Sequence, residues 1–306
     1  MIIPTRNRPR DLDRCLESLA GVDYPAWELI VVDQGQPAAS TPILAGRAAN
    51  VSVQHVMVPP RGASAARNEG LAVARGDIMA FLDDDCTVKS SWLRDVVDVF
   101  DRCQPAGVAY GQVVAADHDP GDFIPVNLIE VERTLYQRDW RELWLHGIHV
   151  MSASMYVRRQ VFELIGSFDE QLGSGARFPA GEDVDYAYRA LLNKMAVVIT
   201  PSITVTHHGA RSVRDGSVSR LIRASLRGAA ATQLKLLKSG QGLALLLIAS
   251  NLWRCLLVIK PIRLLTGRKW SGATWVIYYL VGLLSSLGVQ AHPAPRRLAS
   301  RESGAR

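Results

Sequence analysis

Through its first two hundred residues the chain alternates short, wholly apolar runs with amphipathic stripes, and that alternation restricts it to very few folds. Residues 28–32 (ELIVV) and 77–82 (DIMAFL) read as buried strands, and each runs into aspartate: Asp33 after the first, Asp83, Asp84 and Asp85 after the second. Residues 1–4 and 51–58 read as further strands, the first only a stub, which suggests a start a few residues upstream. Residues 9–19 put Leu12, Cys15, Leu16 and Leu19 on one helical face, residues 64–74 form a helix between Gly62 and Gly76, and residues 90–100 are helical again. Strands apolar on both faces and joined by helices predict an α/β fold with a mostly parallel sheet covered on both sides. Ligands of such sheets bind beyond the carboxyl ends of the strands, where Asp33 and Asp83–Asp85 fall.

The pattern loosens over 117–141, around Pro120, Gly121 and Pro125, and predicts an excursion there. A strand over 150–157, a short helix over 158–165, a helix over 181–193 and a last strand over 196–206, broken at Pro201, complete a body ending near residue 210. Charge then changes sign. Residues 1–200 hold 19 Lys and Arg against 27 Asp and Glu, a balance of −8; residues 201–306 hold 16 against 2, a balance of +14. An acidic body excludes a nucleic-acid-binding core, and a basic tail suits an anionic membrane surface. Within 211–240, Ile222, Leu226, Ala230, Leu234 and Leu237 form one stripe while Arg220, Arg223, Arg227, Lys235 and Lys238 lie off it, a basic amphipathic helix. Residues 241–292 contain two apolar segments, 242–259 and 272–291, near the ~20 residues of a spanning helix; the alternative is core helices. The arrangement expected is in-plane or re-entrant attachment at the cytoplasmic face of the cell membrane, with a disordered basic tail over 293–306. Four scattered cysteines write no disulfide framework or zinc site and suit a reducing compartment.

Four clusters carry chemistry. Three adjacent carboxylates at a strand end repel one another unless a cation offsets them, and carboxylate oxygens select Mg²⁺ or Mn²⁺; the alternative for Asp83–Asp85 is a solvated acidic turn. In an extended chain Asp83 and Asp85 would point one way and Asp84 the other. Glu182, Asp183 and Asp185 open a helix, where the dipole favours them even without a catalytic task. His207 and His208 follow an apolar strand as structural residues or metal ligands. Arg61, Ser64 and Arg67 stand at a helix start, an anion seat or a capped terminus.

Taken in order, PTRNR (4–8), LIVVDQG (29–35), RGASAARNEGL (61–71), GDIMAFLDDD (76–85), GSFDE (166–170), GEDVDYAYR (181–189) and VTHHG (205–209) resemble the family 2 glycosyltransferases of the GT-A fold. The resemblance spans about two thirds of the chain. It implies a GT-A catalytic domain over 1–210 that performs an inverting, nucleotide-sugar-dependent transfer. It implies that Pro4, Thr5, Arg8, Asp33, Arg67, Asp83 and Asp84 bind the nucleotide-diphosphate sugar. Asp85, with Asp83 and His207, would hold Mn²⁺ or Mg²⁺, His208 being the fallback; Asp183 would be the general base and Glu182 would meet the acceptor. The acceptor expected is a glycan or a lipid-linked molecule in cell-surface glycan or glycolipid synthesis. The Gln/Arg-x-x-Arg-Trp motif of processive synthases is missing after Asp183, so a single transfer is expected. Gln34-Gly35-Gln36 departs from the family's usual residues after Asp33 and leaves the base open. A sugar-phosphate nucleotidyltransferase would need a Gly-rich loop where PTRNR stands, and a non-catalytic sugar-binding relic would lack the carboxylates.

Overall fold

The computed structural model describes residues 1–36, 52–212, 214–257 and 272–290. Among them β1 (Ile2–Thr5), β2 (Glu28–Asp33), β3 (Ser52–Met57) and β4 (Ile78–Phe81) follow the apolar runs, and α1 (Pro9–Ala20), α2 (Ala63–Val73) and α3 (Trp92–Arg102) follow the stripes between them. Next come β5 (Cys86–Val88), β6 (Ala106–Ala115), β7 (Asp122–Phe123), β8 (Arg133–Leu135) and α4 (Trp140–His146). A 3₁₀ turn at Ser152–Ser154 leads into β9 (Met155–Arg158) and α5 (Arg159–Ile165), followed by α6 (Glu182–Leu192), β10 (Ala196–His207) and β11 (Arg211–Ser212). The C-terminal helices are α7 (Ser217–Lys238), α8 (Leu243–Leu257) and α9 (Gly272–Ser285).

The main sheet has the order β3-β2-β1-β4-β9-β6-β10-β5, with β8 also on β10. β3, β2, β1 and β4 are parallel; β9 inserts antiparallel between β4 and β6, and β6 and β10 are parallel to each other. Strand residues alternate between two cores. Ile2, Ile30, Val32 and Phe81 enter one with Val108, Tyr110 and Tyr186. Ile3, Val31 and Leu82 enter the other with Leu12, Leu16 and Trp92 of α1 and α3. Burial on both faces is the physical reason the strands read as unbroken apolar runs.

Four expectations are adjusted. Pro201 does not end the last strand, because β10 shifts register against β6 between Thr200 and Thr204 and absorbs it there. Much of 150–157 is loop and 3₁₀ turn, so β9 is short. The excursion over 117–141 contains β7 and β8, which pair with β11 and β10. β6 was not foreseen, because Gly107 and Gly111 interrupt its apolar pattern. A Cβ on Gly111 would lie 2.6 Å from the Ile203 carbonyl oxygen, so the close approach of β10 requires the glycine.

The C-terminal helices pack on this body. Lys235, expected on the solvated side of the amphipathic helix, is fully buried: its Nζ donates to Asp169 Oδ2 at 2.5 Å and Asp185 Oδ1 at 2.9 Å. Arg220, Arg223 and Lys238 do stay exposed. The apolar segments become α8 and α9, of 15 and 14 residues. Among the described residues no helix is long and apolar enough to cross a membrane. Residues 37–51, 213, 258–271 and 291–306, including the basic tail expected over 293–306, lie outside the described residues.

Candidate active site

The aspartate run after β4 is a turn rather than extended chain, closed by the Cys86 amide donating to the Asp83 carbonyl at 3.1 Å. The three carboxylates therefore diverge to three different sets of partners. Asp84 is buried and accepts from Thr5 Oγ1 at 2.7 Å and from Arg8 Nη1 at 3.2 Å. Burial pushes its carboxyl up to about 6, against the pull of Arg8 and Thr5. Asp85 takes Arg8 Nη1 at 3.0 Å and lies 3.3 Å from His207 Nε2. Burial opposes its ionisation, but the His207 hydrogen bond and the charges of His207 and Arg8 outweigh that and hold Asp85 below the usual carboxylate range. Asp83 accepts from Arg67 Nη2 at 2.8 Å.

Arg67 links the two acidic motifs. Only 2% exposed on α2, it also donates from Nη1 to Glu182 Oε1 at 3.1 Å, and its guanidinium lies over the Phe168 ring. Glu182 is further held by Ser152 Oγ at 3.2 Å. Asp183 follows at the start of α6, half-buried, with its Oδ1 accepting from the Val184 amide and its carbonyl from the Tyr110 hydroxyl. Burial, reinforced by the charge of Glu182, raises the Asp183 carboxyl to about 7. Asp83, Glu182 and Asp183 all line one cavity of about 520 Å³. A carboxylate that titrates near neutrality in a cleft can take up a proton as a general base.

A cluster that could hold a cation lies beside the turn. Asp85, Cys86 and His207 bring one oxygen, one sulfur and one nitrogen within 4.8 Å of one another. His207 Nδ1 lies 3.0 Å from the Pro125 carbonyl oxygen, so a proton there leaves Nε2 with its lone pair toward Asp85. In the absence of a cation, Asp85 raises the pKa of His207 despite its burial. Gly209 keeps the space clear, since a Cβ there would stand 2.7 Å from Asp85 Oδ2 and 2.8 Å from His207 Nε2. The Asp85 oxygens and His207 nitrogen fit a hard or borderline divalent ion, whereas burial keeps the Cys86 thiol protonated. His208 faces elsewhere, with its Nε2 2.9 Å from Thr87 Oγ1. Asp83 lies on Arg67 and outside that cluster.

The remaining predicted residues sit at neighbouring strand ends. Pro4 and Thr5 of β1 lie in register with Val32 and Asp33 of β2. Asp33 is buried, accepts from the Gly35 amide at 2.6 Å and has His55 Nε2 3.5 Å away. Gln34, noticed only as a departure from pattern, clamps the next loop. Its Oε1 accepts from the Arg61 and Gly62 amides and its Nε2 donates to the Gly62 carbonyl. Ser152 and Lys235 were also missed, because no local pattern marks a residue whose partners are remote in sequence.

Comparison with known proteins bears on this arrangement. A model of the family described as glycosyl transferase family 2 matches residues 1–166. The pre-mycofactocin glycosyltransferase of Mycobacterium tuberculosis is 29% identical over 219 residues, 70% of this chain and 43% of that protein, so the chain spans less than half the relative's length. S. aureus TarS 1–349 in complex with UDP-GlcNAc superposes with a TM-score of 0.56 at 17% identity, covering 95% of this chain and 92% of that one. The mannosyltransferase PcManGT from Pyrobaculum calidifontis, in complex with GDP-Man and Mn²⁺, gives 0.60 at 15% identity over 92% and 86%. At these identities the structures share the fold alone, an α/β GT-A-like fold with a mostly parallel sheet.

Proposed function

Because the chain belongs to glycosyl transferase family 2, we propose that it moves one sugar from a nucleotide-diphosphate donor to an acceptor hydroxyl, with inversion, in cell-surface glycan or glycolipid synthesis. The observation that carries this reading is the single cavity lined by both Asp83 and Asp183. The nucleotide would lie over the carboxyl ends of β1 and β2, against Pro4, Thr5 and Asp33, with Arg8 beside its diphosphate. Asp85 and His207 would hold Mg²⁺ or Mn²⁺. When bound, that ion supplies charge neutralisation to a departing diphosphate. Arg67 holds Asp83 and Glu182 in place from beneath the site. Asp183 takes the proton of the acceptor hydroxyl as it attacks, and one such base suffices for a single displacement.

The purified chain in Mn²⁺, screened against UDP-, GDP-, ADP-, CDP- and dTDP-sugars, should release nucleoside diphosphate from one of them. Asp85→Asn should bind that diphosphate no better in Mn²⁺ than in EDTA, while the wild type loses affinity when EDTA is added. Turnover of Asp85→Asn equal to the wild type would exclude the metal assignment, and failure of the whole donor screen would exclude the transferase reading.

The same reading puts the enzyme on the cytoplasmic face of the membrane. Leu245, Trp253, Ile277 and Leu284 of α8 and α9 are more than half exposed, and α7 exposes Arg220, Arg223 and Lys238. Apolar side chains with cations nearby suit attachment in the plane of an anionic interface. The full chain should sediment with phosphatidylglycerol vesicles at low salt and much less with phosphatidylcholine vesicles. Equal absence from both pellets would remove the membrane assignment.

A further inference from the structure

The cavity that Asp183 lines has walls of two chemical kinds. Its lining includes the carboxylates of Asp83, Glu182 and Asp183, and Asn127, whose Nδ2 is buried without a hydrogen-bond partner among the described residues. Other walls come from α7 and α8 and from the segment that follows α4. They present Leu221, Leu226 and Ala229 of α7, Leu247 of α8, and Ile148 and Val150.

Polar side chains do occur in the helical walls, but each is already engaged within the protein. Ser225 Oγ donates to the Leu221 carbonyl, Thr232 Oγ1 to the Gly181 carbonyl and Ser250 Oγ to the Trp144 carbonyl. Gln233 and Asn251 both engage the Tyr279 hydroxyl. Arg254 is bound to the Leu145 and His146 carbonyls. A hydroxyl-rich ligand laid on these walls would give up water without gaining equivalent partners, which is unfavourable for each group so stranded. An apolar body would incur no such loss and would gain from burial.

The α7 wall also packs closely against the segment that leads to Asp183. α7 approaches the loop before α6 so closely that a Cβ on Gly228 would collide with the Ala180 carbonyl. The volume of about 520 Å³ suits a ligand fragment of roughly small-molecule size.

Resting on the transferase reading above, we propose that the acceptor is amphipathic. Its hydroxyl meets Asp183, and an alkyl or aryl body fills the compartment between α7 and α8. The C-terminal helices are then the part of the chain that selects the acceptor, while the sheet selects the donor.

The test is titration calorimetry of the full chain with methyl, butyl, hexyl and octyl β-glucosides below their micelle concentrations, with phenyl β-glucoside as the aromatic arm. Binding should tighten about three- to fourfold per added methylene until the compartment is full. The ratio of phenyl to hexyl affinity tells an aromatic body from an aliphatic one. Ala229→Trp and Ser225→Phe, which fill the compartment from two positions, should abolish the chain-length dependence. Leu284→Ser, on the outer face of α9, should keep it. Affinity flat from methyl to octyl would overturn the proposal, and so would an unchanged slope in both filling variants, which would put the alkyl chain on the outer surface. Binding of UDP, GDP, ADP, CDP and dTDP in Mn²⁺ is read on the same preparations, and its retention shows that the variants are folded. Nucleotide binding without a chain-length slope removes this proposal alone. A slope without any nucleotide binding upholds the apolar compartment and removes the transferase reading.

Discussion

Asp183→Asn should lower turnover by a factor on the order of 10²–10⁴, the range expected when a general base is removed, while donor affinity stays within about twofold. The carboxylate and the amide have nearly the same shape, so the Val184 amide can still donate to the side-chain oxygen and the start of α6 is preserved. Parallel loss of donor binding and rate would mean that Asp183 is a helix cap and not a base. In the wild type, kcat/KM should rise with pH through about 7, because the base works only when ionised and burial raises its carboxyl to about that value. The same shift fixes the sign of a stability effect. Between pH 4 and 7 the folded chain keeps a proton on Asp183 that the unfolded chain has released, so this group makes folding less favourable as pH rises across that window. An amide in its place does not titrate and has no such dependence. The variant should therefore gain on the wild type in thermal stability from pH 4 to pH 7, with the difference level above pH 7. A variant that is both inactive and less stable at pH 8 would contradict the assignment of a buried, reluctantly ionised base.

That opposition of activity and stability could not be read from the sequence, although the residue could. Asp183 stands in a run of acids at a helix start, and Asp33 and Asp83–Asp85 follow apolar strands; such short-range patterns locate strand ends and hence the candidate site. The sheet strands β1, β2 and β4 were legible for the same reason, since burial on both faces leaves an unbroken apolar run; β3, at the sheet edge, is only partly buried and its apolar pattern is interrupted by Gln54 and His55. What escaped was decided by contacts between remote segments. β6 is masked by two glycines, one of which exists to admit β10. The assumption of extended geometry at Asp83–Asp85 gave way to a turn, so Asp84 and Asp85 share Arg8 while Asp83 belongs to Arg67. In the sequence only the family resemblance favours His207 over its neighbour His208; the strand pairing of β10 with β5 gives the physical distinction, setting His207 toward Asp85 and His208 toward Thr87. Helical periodicity alone put Lys235 in water.

Lys235 carries the second large effect. Lys235→Met should destabilise the chain by about 3–5 kcal/mol, the range for removing one member of a buried ionic network, and lower the melting temperature by roughly 10 °C. The ammonium is fully buried between Asp169, in the loop after α5, and Asp185, two residues beyond Asp183 on α6. Arg189 Nε still reaches Asp185 at 2.9 Å, so the group left most exposed to the loss is Asp169. A double variant, Lys235→Met with Asp169→Asn, should therefore recover part of the lost stability, and the coupling should fall in the range of about 0.5–3 kcal/mol seen for residues in contact. Additive losses from the two single variants would show that the triad is not a unit. Because Lys235 belongs to α7, the cycle also measures how tightly the C-terminal helices are tied to the helix bearing Asp183. A melting transition that stays single in the wild type but splits in Lys235→Met would identify this triad as the bond that makes body and tail one cooperative structure.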